Sequence, residues 1–188
     1  MEERVILVNR RDEAVGSGEK LRTHVDGVLH RAVSVFAFNA KGELLLQRRA
    51  LPKYHSGGLW SNTACGHPRP GELTGCAARR RLREEMGLDC ELAWATDLIY
   101  KVRFDNGLCE HEFDHVFVGR FDGSPTPTPD PKEVCDWRWV DLHTLGRDVV
   151  ASPGSYTYWF QLCLEKVPLF LETALRIGSH AHDGCVAK

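Results

Sequence analysis

The stretch GHPRPGELTGCAARRRLREEMGL, residues 66–88, decides how this chain is read. Its second half is helical by pattern. Ala78, Leu82 and Met86 recur at i, i+4 and form an apolar stripe. Gly87 is a natural stop, because helices commonly end on a left-handed residue that glycine adopts without steric cost. The expected helix is Glu72–Met86. At about 100° per residue, Arg81, Glu84 and Glu85 fall within about a third of its circumference. Carboxylates on one face, behind a glycine-rich loop, suit a hard divalent cation. The competing reading is a solvated charged face carrying an Arg81–Glu85 i,i+4 pair. A lone charge run would favour the second reading; the glycine loop and the fixed spacing favour the first.

Outward from this stretch, the loop LPKYHSGGLWSNTACGHPRPGE, residues 51–72, is dense in Gly, Pro and Ser. It is long for a loop without structure, and such loops in compact domains tend to carry function. It contains Trp60, Cys65 and His67. Upstream, Arg4–Asn9 reads as a strand followed by a polar, glycine-containing turn. His30–Asn39 reads as a second strand, joined to Glu43–Arg48 through Ala40-Lys41-Gly42, a hairpin signal. Downstream, strands are expected around 90–104 and 109–121, then an extended connection at Pro125–Pro131 and a short strand at Trp137–Val140. Two helices close the chain, Leu142–Val150 and Tyr156–Ile177. Residues two apart on a strand share a face, so Glu110 and Glu112 point together while His111 points away. A solvent-facing acidic strand that continues to Asp114 is the ordinary alternative. Strands interleaved with helices at these spacings predict an α/β (α+β) sandwich rather than a helical bundle.

At 188 residues the chain suits one domain. A net charge of −2 gives no pointer to a nucleic-acid partner. No apolar run approaches the ~20 residues of a membrane helix. The opening MEERVILVNRRDE puts acids where a secretory leader is basic, so the cytoplasm is the expected location. The seven cysteines, at 65, 76, 90, 109, 135, 163 and 185, are odd in number and lack CxxC pairing. They read as neither a disulfide framework nor a zinc ribbon, and most are expected to be buried thiols. Of nine histidines, His180 and His182 lie in the tail IGSHAHDGCVAK, expected to be flexible from about residue 178.

Gly66, five residues, Glu72, seven residues, then Arg80-Arg81-Leu82-Arg83-Glu84-Glu85-Met86-Gly87-Leu88 resembles a Nudix box. That pattern ends in Arg-Glu-apolar-x-Glu-Glu-x-Gly-apolar, and every fixed position fits except Arg81, where the family has Glu. The resemblance implies a Nudix-type mixed β-sheet sandwiched between helices, as a single domain over 1–188. Nudix hydrolases use several helix carboxylates to hold metals that activate water. Arg81 removes one ligand and adds a positive charge, and arginine binds phosphate through its planar donors. The implied site holds a diphosphate but hydrolyses it poorly.

Leu29-His30-Arg31-Ala32, Gln47-Arg48-Arg49-Ala50, Trp60-Ser61-Asn62-Thr63, Cys65-Gly66-His67-Pro68, Glu110-His111-Glu112 and Tyr158-Trp159 are similar to type I isopentenyl diphosphate isomerases, over nearly the whole length. The resemblance implies a metal-dependent 1,3-allylic rearrangement of isopentenyl to dimethylallyl diphosphate, in isoprenoid biosynthesis. It implies one ion, Mn²⁺ or Zn²⁺, held by His24, His30, His67, Glu110 and Glu112, and a Mg²⁺ shared by Glu85 and the substrate diphosphate. Arg49, Lys53 and Arg81 match diphosphate-binding positions. Cys65 and Glu112 match the acid–base pair, and Tyr100 the partner of that glutamate. Trp159 matches the indole that faces a carbocation-like intermediate, with Trp60 as a further wall. The implied protein is a monomer acting on a small molecule, without nucleic acid or membrane. Two rivals stay open: a Nudix pyrophosphohydrolase, against which Arg81 and the Cys65/Glu112 pair argue, and a non-catalytic diphosphate-binding Nudix module, which need not retain all these residues together.

Overall fold

The computed structural model describes residues 3–177; the tail expected from 178, with His180, His182 and Cys185, lies outside them. Its strands are β1 (Arg4–Val8), β2 (Ala14–Glu19), β3 (His30–Phe38), β4 (Leu44–Arg49), β5 (Trp60–Ser61), β6 (Ala64–Gly66), β7 (Leu92–Arg103), β8 (Cys109–Arg120) and β9 (Val134–Val140). The helices are α1 (Lys20–Asp26), α2 (Thr74–Met86), α3 (Leu142–Ala151), α4 (Tyr158–Cys163) and α5 (Val167–Ile177), with 3₁₀ turns at Pro153–Ser155 and Leu164–Lys166.

Apolar alternation along the strands builds a core on each face of a mixed sheet. On β3, β4 and β8, Phe36, Phe38, Leu44, Leu46, Val116 and Val118 join one cluster with Leu145, Phe160 and Phe170 of α3, α4 and α5. Their neighbours Val33, Val35, Leu45 and Phe117 join another with Ala77, Ala78, Leu82 and Met86 of α2. The period of two that separates these sets is that of a pleated strand buried on both faces. Burying each large apolar side chain contributes about 1.5–3 kcal/mol. The expected sandwich is therefore what forms.

β3 is the hub. It runs parallel to β8 in register from His30↔Glu112 to Phe38↔Arg120. It is antiparallel to β6, with Ser34 opposite Cys65. Its hairpin with β4 is paired only at Phe38↔Leu44; beyond that point β6 lines β3, while β5 and β9 line β4. The strands thus part where the 51–72 loop enters, and the loop is not structureless but carries β5 and β6.

Several expectations are corrected. The glycine-containing turn after β1 holds β2 and α1. Gly16 and Gly18 hid an exposed edge strand that pairs with β1, and seven residues are too few for α1 to show a period. The Glu19 carboxylate caps α1 by accepting from the backbone N–H of Leu21 and Arg22, and Gly27, at φ +65°, ends it. α2 begins at Thr74, two residues late, because Leu73 is still extended. The single helix expected over Tyr156–Ile177 is broken, and Pro168 supplies the reason: it has no N–H to return to the carbonyl four residues back, where the 3₁₀ turn lies. β9 begins at Val134, three residues before the expected strand. Of the free cysteines, Cys109 and Cys163 are buried, but Cys65 and Cys90 are half-buried and Cys135 is exposed. Among the described residues no helix is long and apolar enough to cross a membrane.

Candidate active site

Five residues from four places converge. His24 comes from α1, His30 opens β3, His67 follows β6, and Glu110 and Glu112 sit two apart on β8. All five are buried, and one ligand atom from each lies within 4.8 Å of the others. His67 Nε2 is 2.9 Å from Glu112 Oε1, and His24 Nε2 is 3.2 Å from Glu110 Oε2. His24 Nδ1 donates to Lys20 O at 2.6 Å, and His30 Nδ1 donates to Val28 O at 2.9 Å. Backbone carbonyls therefore fix both rings with Nε2 as the lone-pair nitrogen turned to the centre. His24 Nε2 and Glu110 Oε2 are buried without an aligned hydrogen-bond partner. Facing lone pairs of this kind fit a divalent cation, so the cluster can hold a metal. His111, as expected, turns away, donating Nδ1–H to Gly27 O at 2.9 Å.

The electrostatics agree. Burial pushes His30 down to about 4. Burial, then the neighbouring His30, holds His67 well below the usual imidazole range, so both rings stay neutral. For His24, burial alone would lower the pKa, but the Glu110 carboxylate outweighs it and the net shift is upward. Burial likewise opposes ionisation of Glu110, yet His24 and His55 hold it well below the carboxylate range. Glu112 is pushed well above that range by burial and by the charges of Glu110 and Asp114. Two adjacent buried acids do not both ionise without a counter-charge, and here Glu112 keeps the proton. Tyr100, opposite Glu112 in the β7–β8 register, donates its hydroxyl to Glu112 Oε2 at 2.5 Å.

Cys65 and Glu112 line one cavity of about 90 Å³, with Ser34, Arg49 and Trp159. They stand on β6 and β8, the strands that flank β3. Burial, then the Glu85 charge, pushes the Cys65 thiol up to about 12 against the pull of Arg49 and Arg81, so it is protonated near neutrality. Arg49 Nη1 lies 3.6 Å from Cys65 Sγ, and its guanidinium sits 5.2 Å from the centre of the Trp159 ring. Trp159 Nε1 donates to the buried Asn62 Oδ1 at 3.2 Å, while Asn62 donates to Ala64 O at 2.7 Å. That anchor orients the indole.

Arg49, Lys53, Arg81 and Glu85 all line the cavity. The Arg81–Glu85 pair of the competing reading forms, at 2.7 Å. Arg81 also contacts Glu84 at 2.7 Å and Glu133 at 3.1 Å, and Lys53 pairs with Glu133. Buried Glu85 accepts from Gln47 and, at 3.2 Å, from Cys65 N. Trp60 is a correction: it is not in this cavity but packs on the core, under the Arg138 guanidinium at 4.6 Å. Sequence reading missed His55, Lys20 and Glu133, which share the cavity. His55 lay inside a loop marked as functional, a usable signal; Lys20 lay in a stretch read as a turn and Glu133 between the Pro125–Pro131 connection and the expected strand, with none.

A mixed sheet between helices, with Arg81 and Glu85 on α2 beside a His/Glu cluster, defines the class, a Nudix domain: residues 28–160 match the NUDIX domain family model. The chain is 55% identical over 167 residues to the Isopentenyl-diphosphate Delta-isomerase 2 of Aromatoleum aromaticum, covering 89% of this chain and 87% of that relative. It is 55% identical over 169 residues to the Isopentenyl-diphosphate Delta-isomerase of Burkholderia multivorans, covering 90% and 95%. The chain belongs to the isopentenyl-diphosphate Delta-isomerase family. The crystal structure of DR0079 from Deinococcus radiodurans aligns with a TM-score of 0.70 over 88% of this chain and 99% of that one, at 24% identity, a likeness of fold.

Proposed function

We propose that Cys65 and Glu112 are the acid–base pair with which this chain, an enzyme, interconverts isopentenyl and dimethylallyl diphosphate. The observation that carries the reading is their presence in one buried cavity, on strands either side of β3, beside the Trp159 indole. The double bond moves by one carbon: a proton is added to the terminal methylene and another is lost from the carbon on the far side of the cation. Atoms and charge balance, and each residue is the acid in one direction and the base in the other. Cys65, kept protonated by burial, has a proton to give, and Glu112, its charge offset once the cluster holds a cation, would be the base that takes the second proton. Tyr100 holds Glu112 in place. The tertiary cation needs a dry wall of negative potential, and an indole face supplies ~2 kcal/mol or more when desolvated.

Arg49, Lys53 and Arg81 bind the diphosphate. His24, His30, His67, Glu110 and Glu112 would hold Mn²⁺ or Zn²⁺, which would supply the positive charge that offsets two buried carboxylates, and Glu85 would hold Mg²⁺, which would supply charge to neutralise the diphosphate. Arg81 pairs with the Glu84 and Glu85 carboxylates that a hydrolase would leave for metals, which disfavours water activation. The enzyme works as a cytoplasmic monomer on a small molecule. Purified protein, reconstituted with Mn²⁺ or Zn²⁺ and assayed with isopentenyl diphosphate and Mg²⁺, is expected to form dimethylallyl diphosphate. Cys65→Ala and Glu112→Gln should abolish product. Full activity in either variant removes that residue from the pair, and no product from the wild type overturns the reading.

A further inference from the structure

We propose that His55 is a positioning residue for the metal centre, holding one oxygen of Glu110 so that the other is presented to the ion. The inference rests on the metal site proposed above. His55 lies outside the five-residue cluster, yet it is buried and its Nε2 stands 2.5 Å from Glu110 Oε1. At that separation two bare lone pairs would repel, so one of the two atoms carries a proton, in a close contact bent from the ring N–H direction and not an aligned hydrogen bond. Ser56 Oγ, 3.3 Å from His55 Nδ1, is placed to donate there. That makes Nε2 the protonated nitrogen and gives one consistent direction, from Ser56 to His55 to Glu110. The second carboxylate oxygen, Oε2, then faces His24 Nε2 at 3.2 Å with its lone pairs unused. Partners that orient a ligating carboxylate in this way tune metal affinity without touching the ion.

The ring is clamped. It stacks on Phe104 with centroids 4.7 Å apart and planes 9° apart. It meets Tyr54 edge-on at 4.6 Å and Trp159 edge-on at 5.8 Å. Its backbone carbonyl faces Arg49 Nη2 at 3.5 Å. The next residue, Ser56, has φ +53°, which non-glycine residues rarely adopt, and strain of that kind persists where the surroundings over-determine it. His55 thereby ties the loop that carries Lys53 to the metal centre and to the Trp159 wall.

The test is divalent-ion affinity of stripped protein, measured with Mn²⁺ and Zn²⁺ against a chromophoric chelator, with circular dichroism as the check on folding. His55→Phe keeps the stack on Phe104 and loses the N–H. His55→Gln replaces the donor at similar reach, and His55→Asn falls short by one methylene. Wild type is expected to bind one ion per chain in the cluster, with His55→Phe and His55→Asn weaker by roughly 10–100-fold and His55→Gln within about 3-fold of wild type. If His55→Phe fails to fold, the Gln and Asn pair carries the comparison. Unweakened binding in His55→Phe or His55→Asn, or His55→Gln as weak as His55→Asn, overturns the role of His55 alone. A wild type that binds no ion overturns the metal reading and this inference with it.

Discussion

Glu110 and Glu112 are the same residue type on the same strand face, and their surroundings push them apart. Glu110 meets two imidazoles and is held ionised, whereas burial and the charges of Glu110 and Asp114 hold Glu112 neutral against the opposing pull of the Tyr100 hydroxyl. Tyr100→Phe isolates one of these effects. It removes the hydroxyl that donates to Glu112 Oε2 and leaves the ring packing. A hydrogen bond between neutral groups contributes about 0.5–1.5 kcal/mol, so kcat should fall by roughly 2–10-fold with KM little changed. Steady-state kinetics decide it, and an unchanged kcat would mean that Tyr100 does not orient the glutamate. The pairing of Glu110 with Glu112 was legible, since strand alternation alone puts them together. The contact with His55 was not: residues 55 and 110 meet only through the fold, and a lone histidine in a Gly- and Ser-rich loop has no period to betray it.

The helix α2 shows what one element can and cannot announce. Its apolar stripe and charged face were read from the 3.6-residue period and its stop from Gly87, because all three depend on neighbours within about one turn. Gly87 was read as a stop, and the structure adds a second constraint. Its φ is +65°, and a Cβ there would stand 2.2 Å from Thr128 Oγ1 and 2.6 Å from Thr128 O. Thr128 N in turn donates to Met86 O at 2.9 Å, so that segment is fastened to the helix end. Gly87→Ala should therefore destabilise the protein by about 2–5 kcal/mol, combining left-handed strain of ~1–2 with overpacking of ~1–3. Urea unfolding monitored by tryptophan fluorescence measures it; a loss under ~0.5 kcal/mol would show that the Thr128 segment yields freely. The helix α1 was invisible by the same logic, being too short for a period to emerge and preceded by glycines.

At the scale of the molecule, the site lies where β3, β6 and β8 meet beneath α1, so a bound ion joins parts of the chain that are far apart in sequence. An ion that binds only the folded state stabilises it by RT ln(1 + [L]/Kd), about 4 kcal/mol at a thousandfold excess over Kd. Stripping the protein with a chelator should lower its Tm, and Mn²⁺ or Zn²⁺ should restore it; a Tm indifferent to both would sink the His/Glu metal site. The sequence by itself determined the sandwich class, the helix that carries Arg81 and Glu85, the shared face of Glu110 and Glu112, and through the spacing of residues 66–88 the family. These rest on periods of 2 and 3.6 residues and on local turn chemistry, which operate over one or two turns of chain. Only the tertiary structure decided that His24 reaches Glu110, that Trp60 leaves the cavity to Trp159, and that His55 and Glu133 enter it. Those contacts depend on strand register and on the parting of β3 from β4, set by packing across the whole domain, and no local pattern encodes them.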